Sequence, residues 1–315
     1  MKKLVHLIIL LAFTGSVKAQ STITVAQDGS GKFKTVQEAI NAVPDNNAKE
    51  TVIYIKKGVY KEKLILPASK EHVTLKADDP MQTIITYDDY ASKKDSAGKN
   101  IGTSGSASFH LYGKYFSAYN ITFANSSGPV GQAVAAWVGG DRTYFYNCRF
   151  LGFQDTLYTS GANTVQCYTK CYIEGTVDFI FGAATAWFEE CRIFCKNTGY
   201  ITAASTLENV KYGYVFNKCT ITGELPTQSH FLGRPWRPFA KTVFMNCDLS
   251  KQIKSEGWQI WSNKENLKTT FYAEYNNHGE GADTLKRADW THQLDKKEAA
   301  DYTMKNVLQG WNPGK

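Results

Sequence analysis

Asp155 and Asp178 are the residues around which a reaction could be built. Each lies among apolar and aromatic neighbours, in Gly152-Phe-Gln154-Asp155-Thr-Leu157 and Asp178-Phe179-Ile-Phe181-Gly182, and each follows a cysteine, Cys148 or Cys171, by seven residues. Equal offsets put both aspartates at the same point of consecutive repeats. On stacked strands about 4.8 Å apart, their carboxyl groups would come within about 5 Å. Such a pair cannot both ionise freely: one group keeps its proton and can act as general acid/base, while the other stays charged and can act as nucleophile. The plain alternative, a solvated ladder of surface aspartates, is disfavoured because like charges in register repel and both residues have aromatic flanks.

The elements that must position this pair are legible as a repeat. Asn120-Ile121-Thr-Phe123, Asn147-Cys148-Arg-Phe150, Lys170-Cys171-Tyr-Ile173, Glu190-Cys191-Arg-Ile193, Lys218-Cys219-Thr-Ile221 and Asn246-Cys247-Asp-Leu249 share one pattern: polar, small apolar, variable, large apolar. Successive copies lie 27, 23, 20, 28 and 28 residues apart. That is too short for a strand–helix–strand unit and suits one coil of a parallel β-solenoid. Alternation turns Ile121, Cys148, Cys171, Cys191, Cys219 and Cys247 into one inward row. Short β-prone runs between Thr51 and Tyr87 fit further coils. Before them, Thr35 and Glu38 form a capping box, Val36, Ala39, Ile40 and Val43 share an apolar face, and Pro44 ends the helix. This helix is expected to cover the open end of the first coil. A second helix is expected from Asp295 to Leu308, opened by Asp295 and Glu298.

Composition sets the bounds. With 315 residues, 43% hydrophobic and 21% charged, the chain can bury a large core. Lys2, Lys3, the apolar run Leu4–Phe13 and Val17-Lys18-Ala19 read as a secretory signal over residues 1–19, leaving 20–315 as a single β-helix domain. Export to the periplasm or the exterior is therefore expected. No membrane span is expected, since no run approaches the ~20 apolar residues one needs. The net charge of +7 includes the leader's lysines. It suits acidic polysaccharides or simply a solvated lysine-rich surface, and no cluster of cations with aromatics marks a nucleic-acid partner. Five of seven cysteines occupy the inward position, so burial as small apolar residues accounts for most. Cys171 and Cys191, one coil apart, are close enough for a bridge. There is no C-x-x-C, no H-E-x-x-H and no grouping of histidines, and neither metal nor cofactor is expected. Gly29-Ser-Gly31 lacks the rest of either nucleotide motif and reads as a turn.

Five segments, in order, resemble the pectin methylesterase family: Gly58-Val-Tyr60-Lys-Glu62, Gln132-Ala-Val-Ala135, Gly152-Phe-Gln154-Asp155-Thr-Leu157, Asp178-Phe-Ile-Phe-Gly182 and Leu232-Gly-Arg234-Pro-Trp236, with similarity from about Ile23 to Pro313. The resemblance implies a right-handed parallel β-helix of the pectin-lyase-like type with short capping helices, acting as a monomer on methyl-esterified homogalacturonan. It implies Asp178 as nucleophile, Asp155 as acid and then base, Gln132 and Gln154 as donors to the oxyanion, and Arg234 as the partner of Asp178. Arg234 should lower the pKa of Asp178 while that of Asp155 rises, giving opposite shifts. Trp236 and Phe181 would carry sugar rings, with Tyr158, Phe179, Trp261 and Thr103 further along the groove. The resemblance to bacterial members also implies a Cys171–Cys191 bridge. Gly58–Glu62 is assigned to turn structure. Ala136-Trp137 and Ala183-Ala184 depart from the family's commoner wording beside the catalytic groups, which bears on subsite preference.

Taken singly, each of these residues has an ordinary structural reading. Three other functions compete. A retaining glycosidase also needs carboxylates about 5–5.5 Å apart, but leaves two glutamines and an arginine without a role. A lyase of the same fold would use a calcium-binding carboxylate cluster that the sequence does not display. A silent carbohydrate-binding solenoid is open on fold alone, though the intact constellation argues against it.

Overall fold

The computed structural model describes residues 21–314 except residue 225; the leader expected over residues 1–19 lies outside them. The chain winds as a right-handed parallel β-helix. Among the described residues the strands form three parallel sheets, of eleven, eight and seven strands, and seven successive coils lend one strand to each. One coil shows the pattern: Thr143–Tyr146 joins the eleven-stranded sheet, Arg149–Leu151 the eight-stranded sheet and Leu157–Thr159 the seven-stranded sheet. No helix among these residues is long and apolar enough to cross a membrane.

The repeated signature is a corner followed by a strand. Its polar residue sits in the left-handed region, at φ between 49° and 58° for Asn120, Asn147, Lys170, Glu190, Lys218, Asn246 and Asn276. That bend joins the eleven- and eight-stranded sheets and turns the next residue inward. Ile121, Cys148, Cys171, Cys191, Cys219 and Cys247 are accordingly buried in one core. Beyond them Phe123, Phe150, Ile173, Ile193, Ile221 and Leu249 pair in register. On the eleven-stranded sheet Phe145, Tyr168, Phe188, Phe216 and Phe244 stack face to face, at centroid separations of 5.1, 4.8, 4.3 and 4.3 Å. Each such pair contributes about 0.5–1.5 kcal/mol beyond the area it buries.

All seven cysteines are free and buried. The Cys171–Cys191 bridge is not formed: the Cys171 thiol turns to the carbonyl of Phe145 (3.4 Å) and that of Cys191 to Tyr168 (3.3 Å), each on the coil before. Cys167 faces the other way, beneath the C-terminal segment.

Helix Val36–Asn41 has the expected capping box and buries Val36, Ala39 and Ile40. Its N-terminal amides donate to Glu62, Val36 N at 2.9 Å and Gln37 N at 3.0 Å. Gly58–Glu62 is therefore no turn: Gly58–Lys61 is a strand, Tyr60 fills the core, and the Glu62 carboxylate fastens the capping helix. The helix expected from Asp295 to Leu308 is broken into Lys296–Ala299 and Met304–Val307, because Thr303 adopts an extended conformation and caps the second piece. Val307 and Leu308 pack with Tyr144, Val165 and Trp187 on the outer face of the eleven-stranded sheet, so the segment runs along the side of the solenoid.

Candidate active site

The groove forms where the eight-stranded sheet hands over to the seven-stranded one. Leu157 pairs with Ile180, so the residues two places upstream, Asp155 and Asp178, occupy equivalent points of neighbouring coils. Their backbones are fastened together by Asp155 N donating to Val177 O at 3.1 Å. Both aspartates are left-handed, at φ 65° and 51°. Aspartate tolerates that conformation better than most residues, at a cost of about 1–3 kcal/mol. The bend sends the carboxyl groups into the groove. It also leaves Phe179 and Ile180 together in the core. The placement of Phe179 along the groove is thus corrected: it is buried, edge-on to His230, because strand alternation does not run through the corner. Gly182, at φ 125°, closes the motif, since a side chain there would start 2.2 Å from the Thr159 carbonyl.

Arg234 follows the strand His230–Gly233 and binds Asp178 with both prongs, Nε to Oδ1 at 2.9 Å and Nη2 to Oδ2 at 2.7 Å. The guanidinium lies between the rings of Tyr200 (3.9 Å) and Trp261 (3.8 Å). Trp261 therefore serves the arginine as well as lining the groove. Gln132 and Gln154 are bridged neighbours on adjacent coils. Both line the groove, and neither side-chain amide has a hydrogen-bond partner among the described residues.

Phe181 stacks on Tyr158 at 4.2 Å and meets Trp236 edge to face at 6.0 Å, making an aromatic floor. Thr103 stands in the opposite wall, on the helical turn Gly102–Gly105. That wall is moored from behind. Lys63 bridges the Gly105 carbonyl (2.6 Å) and Asp89 (2.6 Å), Lys93 pairs with Asp89 (2.7 Å), and a His110 ring nitrogen meets the Ser104 carbonyl at 2.8 Å. The groove holds about 480 Å³. A larger cavity, about 700 Å³, lies beneath the C-terminal segment, but its carboxylate, Asp301, is already paired with Lys211 at 2.7 Å.

Burial decides the electrostatics. Asp155 is 8% exposed and Asp178 5%. Burial, and then the charge on Asp178, push the Asp155 carboxyl well above the usual carboxylate range, against a weaker pull from Arg234. Burial also raises Asp178, with the hydrogen bond and charge of Arg234 opposing it. The opposite shifts expected from sequence are therefore corrected to two upward shifts of unequal size, because desolvation outweighs the guanidinium. The order survives: Asp155 holds its proton to higher pH. A protonated carboxyl beside a clamped carboxylate, with two unpaired amide donors, Gln154 next to Asp155 and Gln132 on the coil before, can attack a carbonyl, receive its oxyanion and protonate a leaving group.

The groove gathers Asp155, Asp178, Gln132, Gln154, Arg234, Trp236, Phe181, Tyr158, Trp261 and Thr103, and omits Phe179. Tyr200 and the Asp89–Lys63 mooring went unread in the sequence. Neither repeats from coil to coil, and only an outward position on the strand Gly199–Ala204 could have drawn attention to Tyr200.

The sequence profile of the Pectinesterase family matches residues 22–311. Pectinesterase 31 of Arabidopsis thaliana is 42% identical over 286 residues, covering 89% of this chain and 90% of that protein. Pectinesterase 5 of the same plant is 38% identical over 309 residues, 93% of this chain, which spans about half (51%) of that longer protein. Among solved structures, the pectin methylesterase from carrot is similar with a TM-score of 0.84 at 36% identity, covering 94% of this chain and 95% of the other. A pectin methylesterase in complex with a hexasaccharide is similar with a TM-score of 0.83 at 32% identity, covering 94% and 99%.

Proposed function

The chain belongs to the pectinesterase family and is an esterase, and we propose that it hydrolyses the galacturonate methyl esters of homogalacturonan, releasing methanol and demethylated pectin. The observation that carries the reading is the two-pronged Arg234 clamp on Asp178 beside an Asp155 that holds its proton to higher pH. Asp178 attacks the ester carbonyl, and the amide N–H groups of Gln132 and Gln154 receive the oxyanion, each such donor contributing about 2.7–4 kcal/mol. The tetrahedral carbon collapses, and methanol leaves with the proton of Asp155. The resulting acyl anhydride on Asp178 is opened by water, which gives its proton to Asp155, and both groups return to their starting states. Arg234 keeps Asp178 ionised and aimed, and Trp236, Phe181, Tyr158, Trp261 and Thr103 line the path of the sugar chain. Two amides aimed at an oxyanion serve a carbonyl and would oppose the oxocarbenium ion of a glycosidase. A monomer exported beyond the cytoplasm meets such a polymer.

The test is the product formed from methylated pectin. Methanol released by the wild-type chain and lost in Asp178→Ala upholds the reading. New reducing ends or unsaturated uronide absorbance without methanol would replace it with a glycosidase or a lyase.

A further inference from the structure

We propose that the outer face of the eight-stranded sheet is a second binding surface, for the ionised galacturonate chain that the reaction leaves behind; the identity of that polymer rests on the function proposed above. Arg149, Tyr172 and Arg192 stand in register on three successive coils, since Arg149 pairs with Tyr172 and Tyr172 with Arg192. Both guanidinium groups lean over the Tyr172 ring, at 5.3 and 5.9 Å. The sequence has six arginines. Arg142, Arg234 and Arg287 are paired with carboxylates, and Arg237 lies over Trp236. Arg149 and Arg192 have neither a carboxylate nor a hydrogen-bond partner among the described residues, although Glu174 stands on the same face. Glu174 is occupied, by Lys196 at 2.8 Å and the Tyr172 hydroxyl at 2.9 Å.

The surface has the chemistry of an acidic sugar site. Around it is an open hollow of about 560 Å³ whose walls include Met81, Lys170, Tyr172 and Phe194, with Glu224 the carboxylate at its edge. Met81 is 61% exposed. Flat or apolar side chains suit pyranose faces, and each guanidinium fork offers two parallel N–H donors to one carboxylate. Two forks on alternate coils stand roughly 10 Å apart along the solenoid axis, the reach of an extended disaccharide. A methyl ester has no charge for these forks, so the surface selects for polymer that has already been demethylated. Arg149 and Tyr172 each lie six residues upstream of a groove aspartate, Asp155 and Asp178, so this face and the groove share coils on either side of one corner.

Polygalacturonate without esters gives the enzyme nothing to hydrolyse, so retention of the full chain in a gel containing it reads binding alone. The Arg149→Ala/Arg192→Ala pair should lose about tenfold in affinity for it, and wild-type retention should weaken with salt. On fully methylated pectin, with Asp178→Asn added to both chains so that the polymer keeps its esters, the same pair should match its parent. Equal losses on both polymers, no loss on polygalacturonate, or tighter retention of single-stranded DNA than of polygalacturonate would overturn the proposal. Should the alanine pair fail to fold, Arg149→Gln/Arg192→Gln keeps most of the aliphatic stems and carries the same test. Methanol release from a short methylated oligogalacturonate, measured alongside, reports the groove separately. A wild-type chain that releases no methanol yet holds polygalacturonate through the two arginines would sink the functional reading and leave this surface standing.

Discussion

Two corners of the coils that carry Asp155 and Asp178 use the same backbone bend for different ends. Between the eleven- and eight-stranded sheets the left-handed residue recurs on coil after coil, and Asn147, Lys170, Glu190 and Lys218 hold their side chains in solvent. Between the eight- and seven-stranded sheets the bend falls on Asp155 and Asp178, and there the side chains are buried. The first corner is a repeating joint whose outward residue hardly matters. The second uses the same geometry to hold two carboxyl groups where water is scarce. A shared conformation thus says little about a residue's work; what surrounds the side chain decides it.

The sharpest way to break that contrast is at the second corner. Asp178→Asn should cost on the order of 10⁴-fold or more in kcat, since an amide keeps the shape and cannot attack an ester; activity within tenfold of wild type would remove Asp178 from the role proposed for it. Asp155→Asn should cost about 10²–10⁴-fold on methyl esters and less on an aryl ester, whose leaving group needs no proton. The same variant tests stability. The folded-state pKa of Asp155 is raised, so its stabilising contribution is complete below the ordinary carboxylate range and lost as pH rises through the folded value. The asparagine variant should unfold at a higher temperature than wild type near neutral pH, with the difference vanishing in acid.

Arg234→Ala should lower the rate less than either aspartate change and move the acidic limb of the pH–rate profile upward. Without the guanidinium nothing opposes the rise in Asp178's pKa, so ionising it takes a higher pH. A limb that stays in place would show that Asp178 is not the group it reports. In the core row of the first corner, Cys191→Leu should cost about 1–3 kcal/mol of stability by overpacking, read as a lowered denaturant midpoint, with kcat per folded molecule unchanged. Smallest of all, Lys218→Gly should fall within about 1 kcal/mol of wild type and on the stabilising side, because φ 54° suits glycine better than lysine.

The contrast also explains what the sequence made legible. The cysteine row and its spacing located the coils, and seven residues beyond Cys148 and Cys171 lay the aspartates, because local backbone repetition leaves a local signature. Arg234 is 56 residues from the carboxylate it clamps, and no periodicity points to it; it was named by resemblance to a family. Phe179, placed along the groove by the resemblance, lies in the core because the left-handed bend at Asp178 turns the next side chain inward. The direction of the Asp178 shift was missed because the depth of burial, which outweighs the guanidinium, belongs to the folded chain and not to any motif. The broken C-terminal helix is the milder case: Asp295 and Glu298 mark its start, and Thr303, itself a good capping residue, restarts it.

The spacing of the coils has one more consequence. From Cys148 to Cys171 and on to Cys191 the chain takes 23 and 20 residues, whereas its neighbours take 27 or 28. The coils that carry Asp155 and Asp178 are thus the leanest, with no spare length for a loop to arch over the aromatic floor, while the long excursion that includes Ile101–Ser104 stands to one side. The groove is an uncovered trough that runs with the solenoid axis, and the polymer proposed as its substrate could be laid into it sideways at any point of its length without an end having to be threaded. The same economy makes the structure its own ruler: one extra coil between the two aspartates would double their separation to roughly 10 Å and undo the pair while leaving every strand properly bonded.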